Sequence, residues 1–148
     1  MRVELDISKD ILDGEEKVII KANRMTQLIQ KIILLIEQHE KLDKLVGKNN
    51  GNIYPLEADE VYRFFTANKL LYAQTSTAEF VVDARLYQLE EILTNDFMRI
   101  SHSEIINLKM IEHFRLSGNG LIEIHLKNGV VSYSSRSYLG KIKERIGL

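Results

Sequence analysis

Two short clusters of hydrogen-bond donors in the last third of the chain have the residue types that bind nucleic acid. The first is Arg99-Ile-Ser-His-Ser103, where a strand-like pattern runs out into a polar Ser-His-Ser turn. Hydroxyl, imidazole and guanidinium groups donate to phosphate oxygens, and the last two also reach base edges. We therefore take Arg99, Ser101, His102 and Ser103 as candidate DNA contacts.

The second cluster is Ser134-Ser-Arg-Ser-Tyr138, which precedes the last predicted helix. Free backbone N–H groups at a helix start favour an anion, and the fork of Arg136 matches guanine or phosphate. Ser134, Ser135, Arg136 and Ser137 are therefore candidate contacts as well. By composition alone, a serine-capped helix with a solvated arginine explains this cluster equally well.

The four histidines are the natural candidates for acid–base catalysis, and none has a convincing setting. His113 and His125 are expected to be cross-strand neighbours, but two histidines without a third ligand make a poor metal site. The chain has no cysteine and no phosphate loop, serine elbow or His-Glu-x-x-His stretch. The sequence therefore predicts no catalytic site, no metal site and no cofactor. The weakest alternative is a hydrolase using His102 and Glu104, which would need a concave pocket around both side chains.

Composition places the chain among folded proteins of one ordinary domain or two small ones. Hydrophobic residues make up 45% and charged residues 28% of the 148 residues. The net charge of -1 is the sum of two parts of opposite charge. Residues 1–96 carry 12 basic and 17 acidic side chains, whereas residues 97–148 carry 8 basic and 4 acidic side chains. Such asymmetry is also common by chance. With no signal peptide and no long apolar run, we expect a cytoplasmic protein.

The first fifty residues are predicted to form a small α/β segment. Val3–Ile7 and Lys17–Ala22 read as strands, with Asp13 and Gly14 as turn formers between them. Apolar residues at helical spacing then predict a helix from Met25 to Leu42, capped by Asn23. The broad apolar face of this helix either packs in a core or contacts a second chain, and the core is favoured about two to one.

The remaining residues alternate strand patterns with turn residues. Gly47–Gly51 is the most loop-like segment, and we place the domain boundary there. A short helix is expected from Leu86 to Leu93, capped by Asp83, and a last helix contains Leu139, Ile142 and Ile146 and ends at Gly147. Turns are predicted at Asn68-Lys69, at Ser117–Gly120 and, as a type I′ hairpin, at Asn128-Gly129. The predicted strands are Val61–Ala67, Leu70–Thr75, Glu79–Val82, Phe97–Ser101, Met110–Leu116, Leu121–Leu126 and Val130–Ser134.

Residues 51–148 resemble a LytTR-type DNA-binding domain, the β-rich module of many bacterial response regulators. Each matching motif is weak alone, but six in register make a specific pattern. They are Ala58-Asp-Glu-Val61 with Tyr62-Arg-Phe-Phe65, Arg85-Leu-Tyr-Gln-Leu-Glu-Glu91, Phe97-Met-Arg-Ile-Ser-His-Ser103, Ile105-Ile-Asn-Leu108, Leu126-Lys-Asn-Gly129 and Ser135-Arg-Ser-Tyr138.

The resemblance implies an α+β chain: the α/β segment of residues 1–50, then a mainly β domain of small antiparallel sheets with short helices. It also implies that DNA is read from loops, at direct repeats, rather than by a recognition helix. Arg136 matches the family's major-groove arginine and His102 a base-contacting position. Asn68 and Lys69 correspond to a third contact region, and Ser103, Ser134 and Ser137 match positions at or next to phosphate contacts.

Residues 1–50 are too short for a phosphorylatable receiver domain, so the chain resembles the compact regulators of this family. The predicted partner is double-stranded DNA. Compact regulators are often paired with a small membrane regulatory protein, and the helix face suggests a homodimer. The runner-up function is a protein-interaction adaptor that has lost DNA binding. DNA binding requires Lys69, Arg99, His102 and Arg136 to share one exposed face, whereas an adaptor does not.

Overall fold

The computed structural model describes residues 2–12, 15–42 and 45–148, without the side chains of residues 40–42. The chain divides into two compact units, Met1–Leu34 and Leu35–Leu148, which are treated separately below. The predicted turn formers Asp13 and Gly14 and the side chain of Leu42 lie outside the described residues. No helix among the described residues is long and apolar enough to cross a membrane.

The two strands predicted near the N-terminus are wrong. Val3–Ile7 and Lys17–Ala22 are irregular, and the side chains of Val3, Leu5 and Ile7 are all strongly exposed. Alternating apolar residues make a strand only where a neighbouring strand pairs with the backbone and a core covers one face. Neither condition is met in the part of this segment that the structure describes.

The long helix is confirmed, with a later start than predicted. Helix α1 spans Gln27–Leu42, and the hydroxyl of Thr26 accepts from the backbone N–H of Ile29 at 3.2 Å, in place of the expected cap Asn23. Ile29 is buried, but Leu28, Leu34 and Leu35 are 50%, 56% and 64% exposed. A substantial part of its apolar surface is therefore uncovered.

A seven-stranded antiparallel sheet forms the body of the second unit, with strand order β2-β1-β5-β4-β3-β7-β6. Antiparallel pairing is the outcome expected of strands joined by short turns. Helix α2, Leu86–Ile92, follows the fifth strand. The strands are β1 Val46–Asn49, β2 Asn52–Pro55, β3 Arg63–Ala67, β4 Leu70–Gln74, β5 Glu79–Val82, β6 Phe97–Ser101 and β7 Glu104–Asn107.

A second antiparallel sheet has the order β10-β9-β8 and is followed by helix α3, Leu139–Ile146. Its strands are β8 Ile111–Leu116, β9 Ile122–Leu126 and β10 Val131–Tyr133. As predicted, His113 lies opposite His125 in this sheet, and their rings stack with centroids 4.2 Å apart. Gly147 ends α3 with a φ of 82°, also as predicted.

Two predictions about local structure need correction. Gly47–Gly51 is not a loop but the end of β1 and the turn to β2. Gly47 is needed there because a Cβ atom would lie 2.5 Å from the Cβ of Phe80. At the β9–β10 connection only Gly129 has a positive φ, so the hairpin is a three-residue loop rather than type I′.

Strand β7 was missed. Its residues Ile105, Ile106 and Asn107 are all buried, and the side chain of Asn107 donates to the carbonyl of Val61 at 2.9 Å. A four-residue strand that follows a tight turn and contains a buried asparagine has too few apolar residues for a periodic pattern. The isoleucine pair Ile105-Ile106 is the one sequence feature that indicated it.

Two core clusters hold the second unit together. The first packs α2 against the large sheet around Phe64, Leu89 and Ile105. The second packs the small sheet and α3 against β6 and β7 around Ile100, Ile124 and Ile142. Asp83 was predicted to cap helix α2, but the helix begins without it. Instead, the backbone N–H of Arg85 donates to the side-chain oxygen of Gln88 at 2.9 Å. The expected α+β fold of small antiparallel sheets with short helices is confirmed.

Candidate nucleic-acid interface

Three of the predicted contact segments come together at one end of the large sheet. Strand β3 pairs with both β4 and β7, so the β3–β4 turn and the β6–β7 turn lie side by side. The backbone N–H of Thr66 donates to the carbonyl of Ser103 at 2.9 Å and ties the turns together. We call residues 68–69, 101–103 and 135–138 the loop surface.

The third segment is attached to the second by the backbone and by an aromatic ring. The N–H of Ser135 donates to the carbonyl of Ile100 at 3.0 Å, which fixes residues 135–138 beside the end of β6. The rings of His102 and Tyr138 then meet edge to face, with centroids 5.6 Å apart. Three segments far apart in sequence are thus joined to one another at this end of the sheet.

The β3–β4 turn presents Asn68 and Lys69 to solvent. Their φ angles are 52° and 63°, as a two-residue type I′ hairpin requires at both central positions. Asparagine tolerates this conformation well, whereas lysine adopts it only at a cost. Both side chains are exposed and extend from a fixed backbone.

The ten predicted site residues differ in how far solvent reaches them. Six are exposed, namely Asn68, Lys69, His102, Ser103, Arg136 and Ser137. Arg99, Ser101 and Ser135 are partly buried, and Ser134 is only 2% exposed. The Ser134 hydroxyl accepts from the N–H of Ile122 at 3.0 Å, so this side chain joins the second sheet to the loop rather than facing outward.

Arg99 uses its guanidinium inside the protein. Its Nε and one terminal nitrogen each donate at 2.7 Å, to the carbonyls of Ser101 and His102 respectively. Its other terminal nitrogen pairs with Glu90 on α2, and the side chain is only 16% exposed. A guanidinium suits this role because its donors are held in one rigid plane. Arg99 therefore holds the turn that carries His102. The expectation that Arg99 shares an exposed face with Lys69, His102 and Arg136 is wrong for this residue.

Serine hydroxyls stabilise both donor loops from within. Ser101 and Ser103 have hydroxyl oxygens 3.3 Å apart, and the N–H of Ser103 donates to the Ser101 hydroxyl at 3.2 Å. The Ser135 and Ser137 hydroxyls are 3.1 Å apart. Hydroxyl groups rotate easily and offer two acceptor sites each, so these pairs keep spare hydrogen-bonding capacity toward solvent.

Arg136 differs from Arg99, Lys109 and Arg115 because nothing in the described part of the chain neutralises it. It is exposed and has no hydrogen-bond or ion-pair partner among the described residues. Lys109, by contrast, pairs with Asp96 at 3.2 Å, and the hydrogen bond to that carboxylate raises the pKa of Lys109. Arg115 lies 3.9 Å from Glu123. Positive charge is therefore left available on the loop surface.

The structure does not support the alternative of a hydrolase that uses His102 and Glu104 as an acid–base pair. The Glu104 carboxylate accepts from Arg63 at 3.0 Å and from the hydroxyl of Ser132 at 2.7 Å, and both contacts join secondary-structure elements. His102 faces Tyr138 instead of this carboxylate. The described residues contain no group of three or more acidic, histidine or cysteine side chains that could hold a metal ion.

Sequence reasoning missed the residues that support the surface. Glu90 lies nine positions before Arg99 on another element, so no local pattern could pair them. Lys141 places its ammonium nitrogen 5.9 Å from the centroid of the Tyr138 ring and adds a cation beside the loop surface. Its position five residues after Arg136 gave no indication, because five residues of an α-helix leave the two side chains about 140° apart around the axis.

A comparison with protein families matches residues 51–147 to the LytTr DNA-binding domain model. A search of curated proteins finds several relatives in Staphylococcus aureus that match nearly the whole chain. One from strain NCTC 8325, called an uncharacterized HTH-type transcriptional regulator, is 38% identical over 148 residues, covering 100% of this chain and 99% of the relative. Another of the same description, from strain MSSA476, is 37% identical over 146 residues and 99% of each chain.

Among solved structures, the fold is similar to a LytTr DNA-binding domain from Bacillus cereus. The TM-score is 0.67 at 20% sequence identity, covering 70% of this chain and 95% of that one. The relatives' names mention a helix-turn-helix, but the described residues of this chain contain no two helices joined by a short turn.

Proposed function

The chain belongs to the LytTr DNA-binding domain family, and we propose that it is a transcription regulator that reads double-stranded DNA in a sequence-specific way through its loop surface. The carrying observation is the assembly of three donor loops at one end of the sheet, with the Arg136 guanidinium exposed and unpaired. An adaptor that has lost DNA binding would have no need for this arrangement.

Arg136 is the proposed base-reading residue of the last loop. Its planar fork can donate two hydrogen bonds to guanine in the major groove, the commonest specific contact of proteins with DNA. Residues 135–138 are held by the backbone to β6, so the backbone of this loop needs little ordering on binding. His102 is the second proposed base contact, and it is weaker because a neutral imidazole has one donor.

The remaining exposed donors fit phosphate contacts. Asn68 and Lys69 extend from a turn with a fixed backbone, and Ser103 and Ser137 place hydroxyls beside the two base-reading side chains. Phosphate contacts of this kind set register and orientation but carry no sequence information. We assign Arg99, Ser101, Ser134 and Ser135 to holding these loops, since their side chains are partly or fully buried and make hydrogen bonds within the protein.

The family resemblance implies direct repeats, and we propose that two copies of the site on one face of the DNA bind two chains. The exposed leucines of α1 support contact between those chains, which would make the regulator a homodimer. Binding two sites through one linked dimer raises the overall affinity above that of either site alone.

Replacement of Arg136 by alanine tests the proposed base-reading site. We expect the loss of about 1–3 kcal/mol in affinity for a selected operator, the range for a bidentate base contact, with a smaller loss on unrelated DNA. Arg115→Ala is the matched control, because Arg115 is an exposed arginine on β8 outside the loop surface. The free energy of unfolding of both variants, measured by thermal melting, should lie within ~0.5 kcal/mol of the parent's. Operator binding by Arg136→Ala that equals the parent would refute the assignment.

A further inference from the structure

Tyr138 lies where the two proposed base-reading loops meet. It is the last residue of the turn Arg136–Tyr138, and its N–H donates to the carbonyl of Ser135 at 3.2 Å. Its half-buried ring also packs against the core cluster formed by the small sheet and α3. The ring is thus fixed from below by the core and faces the donor loops above.

Three groups from the loop surface and its border surround this one ring. The His102 ring meets it edge to face with an interplanar angle of 86°. The guanidinium carbon of Arg99 is 6.0 Å from its centroid, and the ammonium nitrogen of Lys141 is 5.9 Å away. Aromatic pairs favour this edge-to-face geometry, and cations are attracted to a ring face at such distances.

We propose that Tyr138 is a positioning residue that couples the His102 loop to the Arg136 loop; this inference rests on the proposed function. Arg136 is fixed to Tyr138 through the backbone of one short turn. His102 is fixed to it through its own ring and, indirectly, through Arg99, which holds the carbonyl of His102 at 2.7 Å. One ring therefore sets the separation of the two side chains that read bases.

The aromatic ring, not the hydroxyl, carries this role. The Tyr138 hydroxyl has no hydrogen-bond partner among the described residues. Tyr138→Phe should therefore keep both the placement and the binding of the parent. Tyr138→Leu retains an apolar side chain for the core but removes the ring. The His102 loop is then no longer held in a fixed position relative to the Arg136 loop. Tyr133→Leu, an exposed tyrosine on β10, is the matched control.

The first measurement needs no DNA. Nuclear magnetic resonance of the full chain should show the imidazole protons of His102 shifted in Tyr138→Leu but not in Tyr138→Phe or Tyr133→Leu, because a neighbouring ring displaces their resonances. Unchanged His102 resonances in Tyr138→Leu would overturn the proposed contact. This result does not depend on whether the chain reads DNA.

The second measurement is a double-mutant cycle on operator binding. Tyr138→Leu should weaken specific binding roughly three- to tenfold and flatten the preference at the base pair read by His102, and it should cost little more once His102→Ala is present. Additive losses, an unchanged base preference, or an equal loss in Tyr138→Phe would overturn the inference while leaving the proposed function intact. Absence of specific binding by the parent would overturn both.

Discussion

Arg99 illustrates how a residue type suited to DNA can be committed to the protein itself. Its guanidinium meets two loop carbonyls and Glu90, leaving little of it exposed. The chemistry of arginine predicts phosphate or base contact, whereas the geometry favours support of the turn that carries His102. The two roles differ in a measurable way, because only a phosphate contact releases counterions from DNA.

We expect Arg99→Ala to weaken operator binding without changing its salt dependence. Loss of the two carbonyl contacts should loosen residues 101–103, whereas the number of phosphates neutralised should stay the same. Affinity measured over a range of salt concentrations checks this, with Lys69→Ala as the comparison for a direct contact. If the slope of log affinity against log salt is reduced by about one in Arg99→Ala, Arg99 contacts a DNA phosphate directly instead.

Residue types made Arg136 and His102 candidates, because their donors match base edges, but only the family resemblance favoured them over solvated side chains. Their exposure is confirmed, whereas their contact with bases stays a prediction. The burial of Ser134 could not be predicted in the same way. Its hydroxyl is bound by Ile122, twelve positions earlier, through a pairing that exists only once the second sheet has formed. Local sequence contains no information on such a partner.

At the scale of elements, the strands with turn residues at both ends were predictable. The Asn68-Lys69 turn and the strands on either side of it agree with the structure within two residues. The predicted strands Val3–Ile7 and Lys17–Ala22 failed, although their residue types are equally favourable. Strand formation depends on an available partner, which residue types do not indicate.

Helix α1 leads to a prediction about assembly. Exposed Leu28 and Leu35 are seven positions apart, a spacing that places side chains on the same side of a helix. If α1 joins two chains, replacing both by glutamate should convert a dimer to a monomer at micromolar concentration, because burying the new charges is unfavourable. Sedimentation of the full chain checks this, and Gln30→Glu is the control on the same helix. A monomeric parent would contradict the homodimer.

At the scale of the whole molecule, the functional and the structural divisions of the chain differ. The family model begins at residue 51, in the turn between β1 and β2, whereas the second compact unit begins at Leu35. The sequence placed a boundary near residue 50 because glycine and asparagine cluster there. The assignment of residues 1–50 to regulation or self-association stays a prediction.

Whole-molecule charge leads to a prediction about salt. A chain of net charge -1 cannot bind DNA by bulk attraction, so affinity must come from local cations such as Lys69, Arg136 and Lys141. With about two to four phosphates neutralised per chain, the slope of log affinity against log salt should be about -2 to -4. Titration of operator binding across salt concentrations measures it. A slope near zero would rule out these contacts.

The central claim is that the loop surface reads DNA sequence, and selection of bound fragments from random DNA by the full chain tests it most directly. We expect the parent to enrich one motif, preferably as a direct repeat. Arg136→Ala should lose preference at one base pair of that motif, whereas Arg115→Ala should keep all of it. Failure of the parent to enrich any motif, or an identical motif from Arg136→Ala, would contradict the claim.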